Sequence, residues 1–135
     1  MKPFLFLTLA AAAAAPAAAP RSVWDGVYSA EQVGRGRKGY NSQCARCHGE
    51  NLLGNDDAPP LVDQDFLDNW NGKSVGSLVE LTRKKMPSDG PGKLSRQFCT
   101  DVVAYILNAN GYPAGGHNLE PDADSLDHIQ IEPKK

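Results

Sequence analysis

The chain has 135 residues, with 14 Lys and Arg against 16 Asp and Glu, a formal net charge of −2 and three cysteines. Once an export leader is set aside, about 115 residues remain, which fits one small domain. The near-neutral charge, with basic residues that are not interleaved with aromatic ones, argues against a nucleic-acid-binding protein.

The first residues have the pattern of a secretory signal peptide. Lys2 supplies a positive start, and an apolar run of about a dozen residues and a segment of small residues follow. We predict a signal peptide over 1–18, cut after Ala17 or Ala18, and an N-terminal extension over 19–28. The apolar run is short for a bilayer span, so an uncleaved membrane anchor is the alternative. The protein is expected to be exported to the periplasm, with no integral membrane segment after cleavage.

The mature chain is then predicted to be helical, with loops between the helices. Ser29 begins the first helix and Gln32 stands at the capping-box spacing. Val33, Gly36 and Tyr40 recur along one face. Because glycine is costly inside a helix, Gly36 predicts close packing of another backbone or ring at that point.

Two thiols and an imidazole follow the first helix, as Cys44, Cys47 and His48. This spacing is typical of c-type haem attachment, in which each sulfur forms a thioether and the histidine is the proximal iron ligand. A thioredoxin-like redox pair is the first alternative, but it needs a preceding strand. A zinc site is the second, but it needs two more ligands. The third cysteine, Cys99, lies far along the chain and is expected to be a buried structural thiol.

A loop rich in turn-forming residues, 49–60, follows the motif. A ligand histidine usually donates its second ring N–H to a carbonyl or carboxylate, and Pro59 or Pro60 is the natural carbonyl source for His48. Further along, Trp70 is a candidate hydrogen-bond donor to a haem propionate, with plain packing as the alternative.

A second helix is predicted from Ser74 to the Met86-Pro87 pair, which stops it. Apart from the initiator, Met86 is the single methionine, and its thioether is a candidate sixth iron ligand that favours ferrous haem. The alternatives are a core methionine at Met86, or ligation by His117 or His128.

A third helix is predicted to open at Ser95 and to close at Asn110-Gly111, before an acidic C-terminal tail over 116–135. No alternating strand pattern is present, and the absence of internal repeats predicts a single haem. The side chains expected to face inward are Val75, Leu78, Val79 and Thr82 in the second helix and Phe98, Val102, Tyr105 and Ile106 in the third.

Four stretches of the sequence, taken in order, resemble class I c-type cytochromes. They are Cys44–His48, Pro59–Leu61, Met86-Pro87 and 101–111. The resemblance covers residues 29–115. It implies an all-α, small cytochrome c fold, with three to four helices and loops wrapped around one covalently bound haem.

The resemblance also implies roles for single residues. His48 and Met86 would be the axial ligands, the Pro59 carbonyl would accept from His48, and Leu61 would pack on the haem. It further implies that the first helix crosses the last, where Gly36 would meet Tyr105. The Asn-Gly-Tyr-Pro-Ala-Gly ending of this region is similar to cytochrome domains that accompany bacterial quinoprotein alcohol dehydrogenases.

These features predict a soluble, monomeric periplasmic electron carrier rather than an enzyme, with redox proteins as partners. A quinoprotein dehydrogenase is the expected donor, and a terminal oxidase or another cytochrome the acceptor. The alternatives are a haem subunit docked permanently on a dehydrogenase, and a sensor or enzyme with an open sixth position. Two basic groups are expected to rim the haem edge and steer an acidic partner, with an inert solvated surface as the alternative. They are Arg35, Arg37, Lys38 and Arg46, and Arg83, Lys84 and Lys85.

Overall fold

A computed structural model describes residue 1, residues 10–13 and residues 21–135. The signal-peptide prediction concerns mainly residues 2–9 and 14–20, which lie outside the described residues. Within the described part, none of the helices is both long and apolar enough to cross a membrane.

The regular secondary structure of the described chain is almost entirely helical, which confirms the all-α prediction. A parallel pair of two-residue strands, too short to show a sequence pattern, joins its two ends. In chain order the elements are β1 (Arg21–Ser22), a 3-10 turn (Val23–Asp25), α1 (Ala30–Gln43), α2 (Ala45–His48), α3 (Asp63–Trp70), α4 (Val75–Lys85), α5 (Arg96–Ala109), α6 (Ala123–Asp127) and β2 (Ile129–Gln130). The three predicted helices are α1, α4 and α5, while α2, α3 and α6 are short additional ones.

Serine side chains cap the three long helices, as predicted. The hydroxyls of Ser29, Ser74 and Ser95 each accept the backbone N–H three residues on, at 3.0–3.1 Å. The capping box at α1 is only half formed. The Gln32 side chain turns away from Ser29 into the core, where it is fully buried.

The centre of the fold is the crossing of α1 and α5. A Cβ added to Gly36 would lie 1.9 Å from the Asp101 carbonyl oxygen, so the two backbones are in direct contact there. Next to this contact the rings of Tyr40 and Tyr105 pack at a centroid distance of 5.3 Å. The close approach predicted from Gly36 is confirmed.

The acidic C-terminal tail packs on the domain instead of extending from it. The Gln32 amide accepts from the Leu119 N–H at 2.7 Å and donates to the Leu119 carbonyl at 2.9 Å. A Cβ on Gly76 of α4 would lie 1.9 Å from an Asp127 carboxylate oxygen. The core of 29–115 therefore continues through the tail, whose buried side chains are Leu119, Leu126, Ile129 and Ile131.

One charged cluster joins α4 to the start of α5. The Glu80 carboxylate accepts from Arg83 at 2.9 Å and from Arg96 at 2.9 and 3.0 Å. These hydrogen bonds, that from Arg83 first, lower the pKa of Glu80 to about 2, although desolvation opposes the shift.

The contact at Gly36 makes a first prediction. Gly36→Ala should lower the free energy of unfolding of the haem-loaded protein by about 3 kcal/mol, because the new methyl group has no space against α5. Gly34→Ala, on the same helix with no heavy atom within 4 Å, should instead raise it by about 1 kcal/mol. Urea unfolding measures both variants. Equal stabilities of Gly36→Ala and wild type would contradict the packing described.

A second prediction concerns Glu80. Because the pKa of Glu80 is lower in the folded protein than in the unfolded chain, the ionised carboxylate stabilises the fold. This stabilisation is fully present above about pH 4.5 and is lost as the pH falls towards about 2. Glu80→Gln should therefore cost about 1 kcal/mol at neutral pH, a modest value because the cluster is partly exposed.

Urea unfolding at about pH 7 and about pH 3 should show the gap between Glu80→Gln and wild type narrowing in acid. Glu120→Gln, an exposed carboxylate in the tail, is the matched control and should change little. A gap of constant size at both pH values would argue against the ionic origin of the effect.

Candidate functional site

The Cys44–His48 motif begins at a break between two helices. Cys44 ends α1 and also begins α2, with a backbone (φ −121°, ψ −38°) that is not helical. The N–H of His48 donates to the Cys44 carbonyl at 2.9 Å, which closes a single turn. Gly49, with φ +82°, then ends α2. One short turn therefore presents both thiols and the imidazole together.

These groups line a cleft with about 770 Å³ of space free of protein atoms, part of it open to solvent. The wall comes from α1 and α2, from the loop before α3, and from α4 and α5. Its residues are Gln43, Cys44, Cys47, His48, Asp57, Ala58, Pro59, Thr82, Met86, Pro87, Ser88, Val102 and Ile106. The fold thus brings Cys44, Cys47, His48, Pro59 and Met86 to one place.

His48 is buried and has one fixed partner. Its Nδ1 lies 2.9 Å from the Pro59 carbonyl oxygen, so of the two prolines considered it is Pro59 that faces the ring. A carbonyl only accepts, so Nδ1 carries the proton and Nε2 keeps its lone pair. Gly54 allows this approach, since a Cβ there would lie 2.4 Å from the Ala58 carbonyl.

Met86 comes directly after the last residue of α4. Its backbone is extended (φ −112°, ψ 150°), as expected for a residue before proline, and its N–H donates to the Thr82 carbonyl at 3.0 Å. The Thr82 hydroxyl donates to the Leu78 carbonyl at 2.8 Å. The end of α4 is therefore well anchored up to Met86.

Two other predicted contacts are not seen at this cleft. Leu61 is half-buried outside the lining, and its carbonyl accepts from the Asn110 side chain at 2.9 Å. Trp70 packs against the core, with the Lys73 ammonium 5.2 Å from its ring centroid. Both residues were proposed from the resemblance or from general chemistry, without a local signal for their direction.

The two histidines considered as alternative ligands lie away from the cleft. His117 is exposed, and His128 has its Nδ1 2.7 Å from the Asp124 carbonyl oxygen. His128 belongs to a separate cavity formed by the tail.

Burial raises the pKa of two of the three thiols. Burial, with nearby Cys99 and Cys47, raises the pKa of Cys44 to about 11. Cys99 is fully buried, as predicted, and burial raises its pKa to about 11 although Arg83 opposes the shift. Among the described residues no group of three or more His, Cys, Asp and Glu could hold a metal ion, which leaves the zinc alternative without a site.

The sequence did not single out several cleft residues. Ala58 and Thr82 contribute apolar and satisfied polar surface, while Val102 and Ile106 provide the wall from α5. The helical periodicity did mark Thr82, Val102 and Ile106 as inward-facing, but it could not say that they face a cleft rather than other side chains.

Carboxylates pair with four of the seven cations in the two basic groups. Ion pairs join Arg35 to Asp101, Arg46 to Asp89, and both Arg83 and Lys84 to Glu80. Of the seven predicted rim cations, those without an ion pair in the described chain are Arg37, Lys38 and Lys85. The expected positive rim is thus weaker than the sequence suggested.

The residues present fit a covalently attached haem. The cleft offers two thiols on one helical turn, an imidazole nitrogen with a free lone pair, and a soft thioether sulfur.

A match to a protein-family model agrees with this chemistry. The family model described as cytochrome c oxidase, cbb3-type, subunit III, matches residues 31–106. A chain in the crystal structure of the sulfane dehydrogenase SoxCD from Paracoccus pantotrophus is 23% identical, with a TM-score of 0.48, over 66% of this chain and 53% of that one. This chain therefore spans about half the length of that solved chain. No curated protein matches. Because the family match extends over more than half of the sequence and includes the Cys44–His48 motif, the chain belongs to that family and is a c-type cytochrome.

Proposed function

We propose that this chain is an exported, soluble carrier of single electrons, with one haem c attached through Cys44 and Cys47. The observation that carries the proposal is the single cleft that holds both thiols, His48 and Met86. When bound, the haem supplies an iron that alternates between the ferric and ferrous states.

The protein would hold this iron through two side chains. His48 binds through Nε2, because its Nδ1–H donates to the Pro59 carbonyl and fixes the ring. Met86 binds through its sulfur, which stabilises ferrous iron and raises the reduction potential. With His48 and Met86 both holding the iron, no ligand position would remain for a substrate, so the role of the chain would be to set the potential and to limit reorganisation.

The cleft residues do not support a catalytic alternative. The cleft lining holds one histidine, the proposed ligand, and one carboxylate, Asp57. A sensor or enzyme with an open sixth position would require Met86 to stay unbound, although it lines the same cleft as His48.

The sequence supports export, and the family resemblance supports the choice of partners. The leader pattern is typical of an exported chain, which supports haem attachment outside the cytoplasm and a periplasmic location. The partners would be redox proteins, with a quinoprotein dehydrogenase as donor and a terminal oxidase or another cytochrome as acceptor. Arg37, Lys38 and Lys85, which form no ion pair within residues 21–135, would give such contacts a weak and salt-sensitive electrostatic contribution.

Methionine ligation has a direct spectroscopic test. The ferric protein should show the weak far-red band of sulfur-ligated haem, and Met86→Ala should remove it. The reduction potential should fall by roughly 0.1–0.2 V, a part of the span of about 0.8 V that axial ligands control.

The matched control is Leu81→Ala, an exposed apolar residue on α4 that should leave both readings unchanged. A wild-type spectrum without the band would remove Met86 as a ligand, bring back His117 and His128, and favour the sensor or enzyme alternative.

One fractionation experiment tests export and free diffusion together. The haem-stained protein should appear in the osmotic-shock fluid with its N-terminus at Ala18 or Ala19, and should elute as a monomer in high salt. Leu7→Arg, which interrupts the apolar run, should keep the chain inside the cell without haem.

Recovery with membranes in high salt would instead indicate an uncleaved anchor. Elution with a dehydrogenase at a fixed ratio in high salt would indicate a permanently docked subunit.

A further inference from the structure

The segment that follows Met86, residues 87–93, has no regular structure and joins the end of α4 to the region before α5. We call it the Met86 loop. Pro87 is buried, but Ser88, Asp89 and Lys93 are exposed. The position of Met86 therefore depends on a segment with little packing of its own.

Few polar contacts fix the Met86 loop. The Gly90 N–H donates to the Pro87 carbonyl at 2.9 Å, inside the loop itself. Among the described residues, a single hydrogen-bonded ion pair ties residues 87–93 to another part of the chain. In it the Arg46 guanidinium donates to the Asp89 carboxylate.

Arg46 lies on α2, between Cys44 and Cys47 and two residues before His48. The pair thus connects the turn that carries the proximal ligand to the loop that begins at Met86. The same residues, with Ser42, Gln43, Pro87 and Lys93, line a polar groove beside the cleft.

We propose that the Arg46–Asp89 pair is a latch that holds the Met86 loop against α2 and keeps the Met86 sulfur in place against competing ligands. This inference rests on the proposed ligation by Met86. Arg46 and Asp89 are positioning residues, since neither is proposed to touch the iron. Departure of Met86 from the iron requires the loop to move, and movement of the loop separates the pair.

The expected size of the effect is modest. The Arg46 and Asp89 side chains are 69% and 58% exposed, and pairs of this kind shift an equilibrium by a few-fold at most. Salt should screen the contribution, because both charges face water. Since the Met86 loop has no other polar contact with the rest of the described chain, loss of this one ion pair should change the imidazole affinity measurably.

The test is a titration of the ferric protein with imidazole, which displaces Met86 and removes the far-red band. Arg46→Gln and Asp89→Asn should each bind imidazole about threefold more tightly than wild type, and the double variant no more tightly than either single one. In about 1 M salt these differences should shrink.

The two single variants separate a latch from a simple charge effect. They change the net charge in opposite directions, so a through-space effect on the iron would move their imidazole affinities in opposite directions. A broken latch moves both in the same direction. The swap Arg46→Asp with Asp89→Arg should restore the wild-type affinity, and haem content and urea stability check that each variant is assembled.

The matched control is Lys93→Gln, which removes a cation from the same groove without breaking an ion pair, and it should bind imidazole as wild type does. If the wild-type protein shows the far-red band but Arg46→Gln and Asp89→Asn match its imidazole affinity, the latch is wrong and Met86 ligation stands. If the band is absent in wild type, the proposed ligation is wrong and the latch with it.

Discussion

The backbone contact between α1 and α5 at Gly36 is the constraint from which the site follows. Because Gly36 has no side chain, the Asp101 carbonyl can lie against α1, and the two helices cross there. Cys44 ends α1, so this crossing determines where the two thiols and His48 begin. Val102 and Ile106 follow Asp101 on α5 and form part of the cleft wall. Tyr40 joins the two features, since its ring packs on Tyr105 and its hydroxyl donates to the Gly49 carbonyl at 2.6 Å.

The C-terminal tail stabilises the other side of the cleft through α4. Gly76 lets the Asp127 side chain approach α4 closely, and the Ile131 N–H donates to the Lys73 carbonyl at 2.9 Å, just before α4 begins. Ile131 itself is completely buried. The tail is therefore acidic on its surface, while its buried side chains are apolar. Since α4 ends at Met86, the tail contributes to the position of that residue without approaching the cleft.

Features that depend on residues close together in the sequence could be predicted, and they account for much of this structure. Contacts between residues far apart in the sequence could not be predicted. The thiol–imidazole spacing, the capping serines and Gly36 each carry their information within a few residues, and the structure has them where expected. Gln32 shows the limit, because its spacing from Ser29 suggested a local cap while its amide pairs with the Leu119 backbone, far along the chain. The basic groups show it as well. Their charges are visible in the sequence, but the carboxylates that pair with Arg35 and Arg46 come from distant parts of the chain, Asp101 and Asp89.

The two sides of the proposed iron site are built with unequal rigidity, and this inequality bears on function. His48 lies on a closed helical turn, is buried, and has its ring fixed by the Pro59 carbonyl. Met86 has a firm helix before it and a largely exposed loop after it. An electron carrier keeps both ligands on the iron in both oxidation states. Any exchange of a ligand should occur on the side of Met86, because that side can move with less disruption of packing. The α2 side would also hold the proposed covalent attachment, so its movement would disturb the whole site. Under the proposed ligation, exchange at the iron would therefore be controlled by the segment after Met86, and a surface contact there would influence the chemistry although it touches no part of the cofactor.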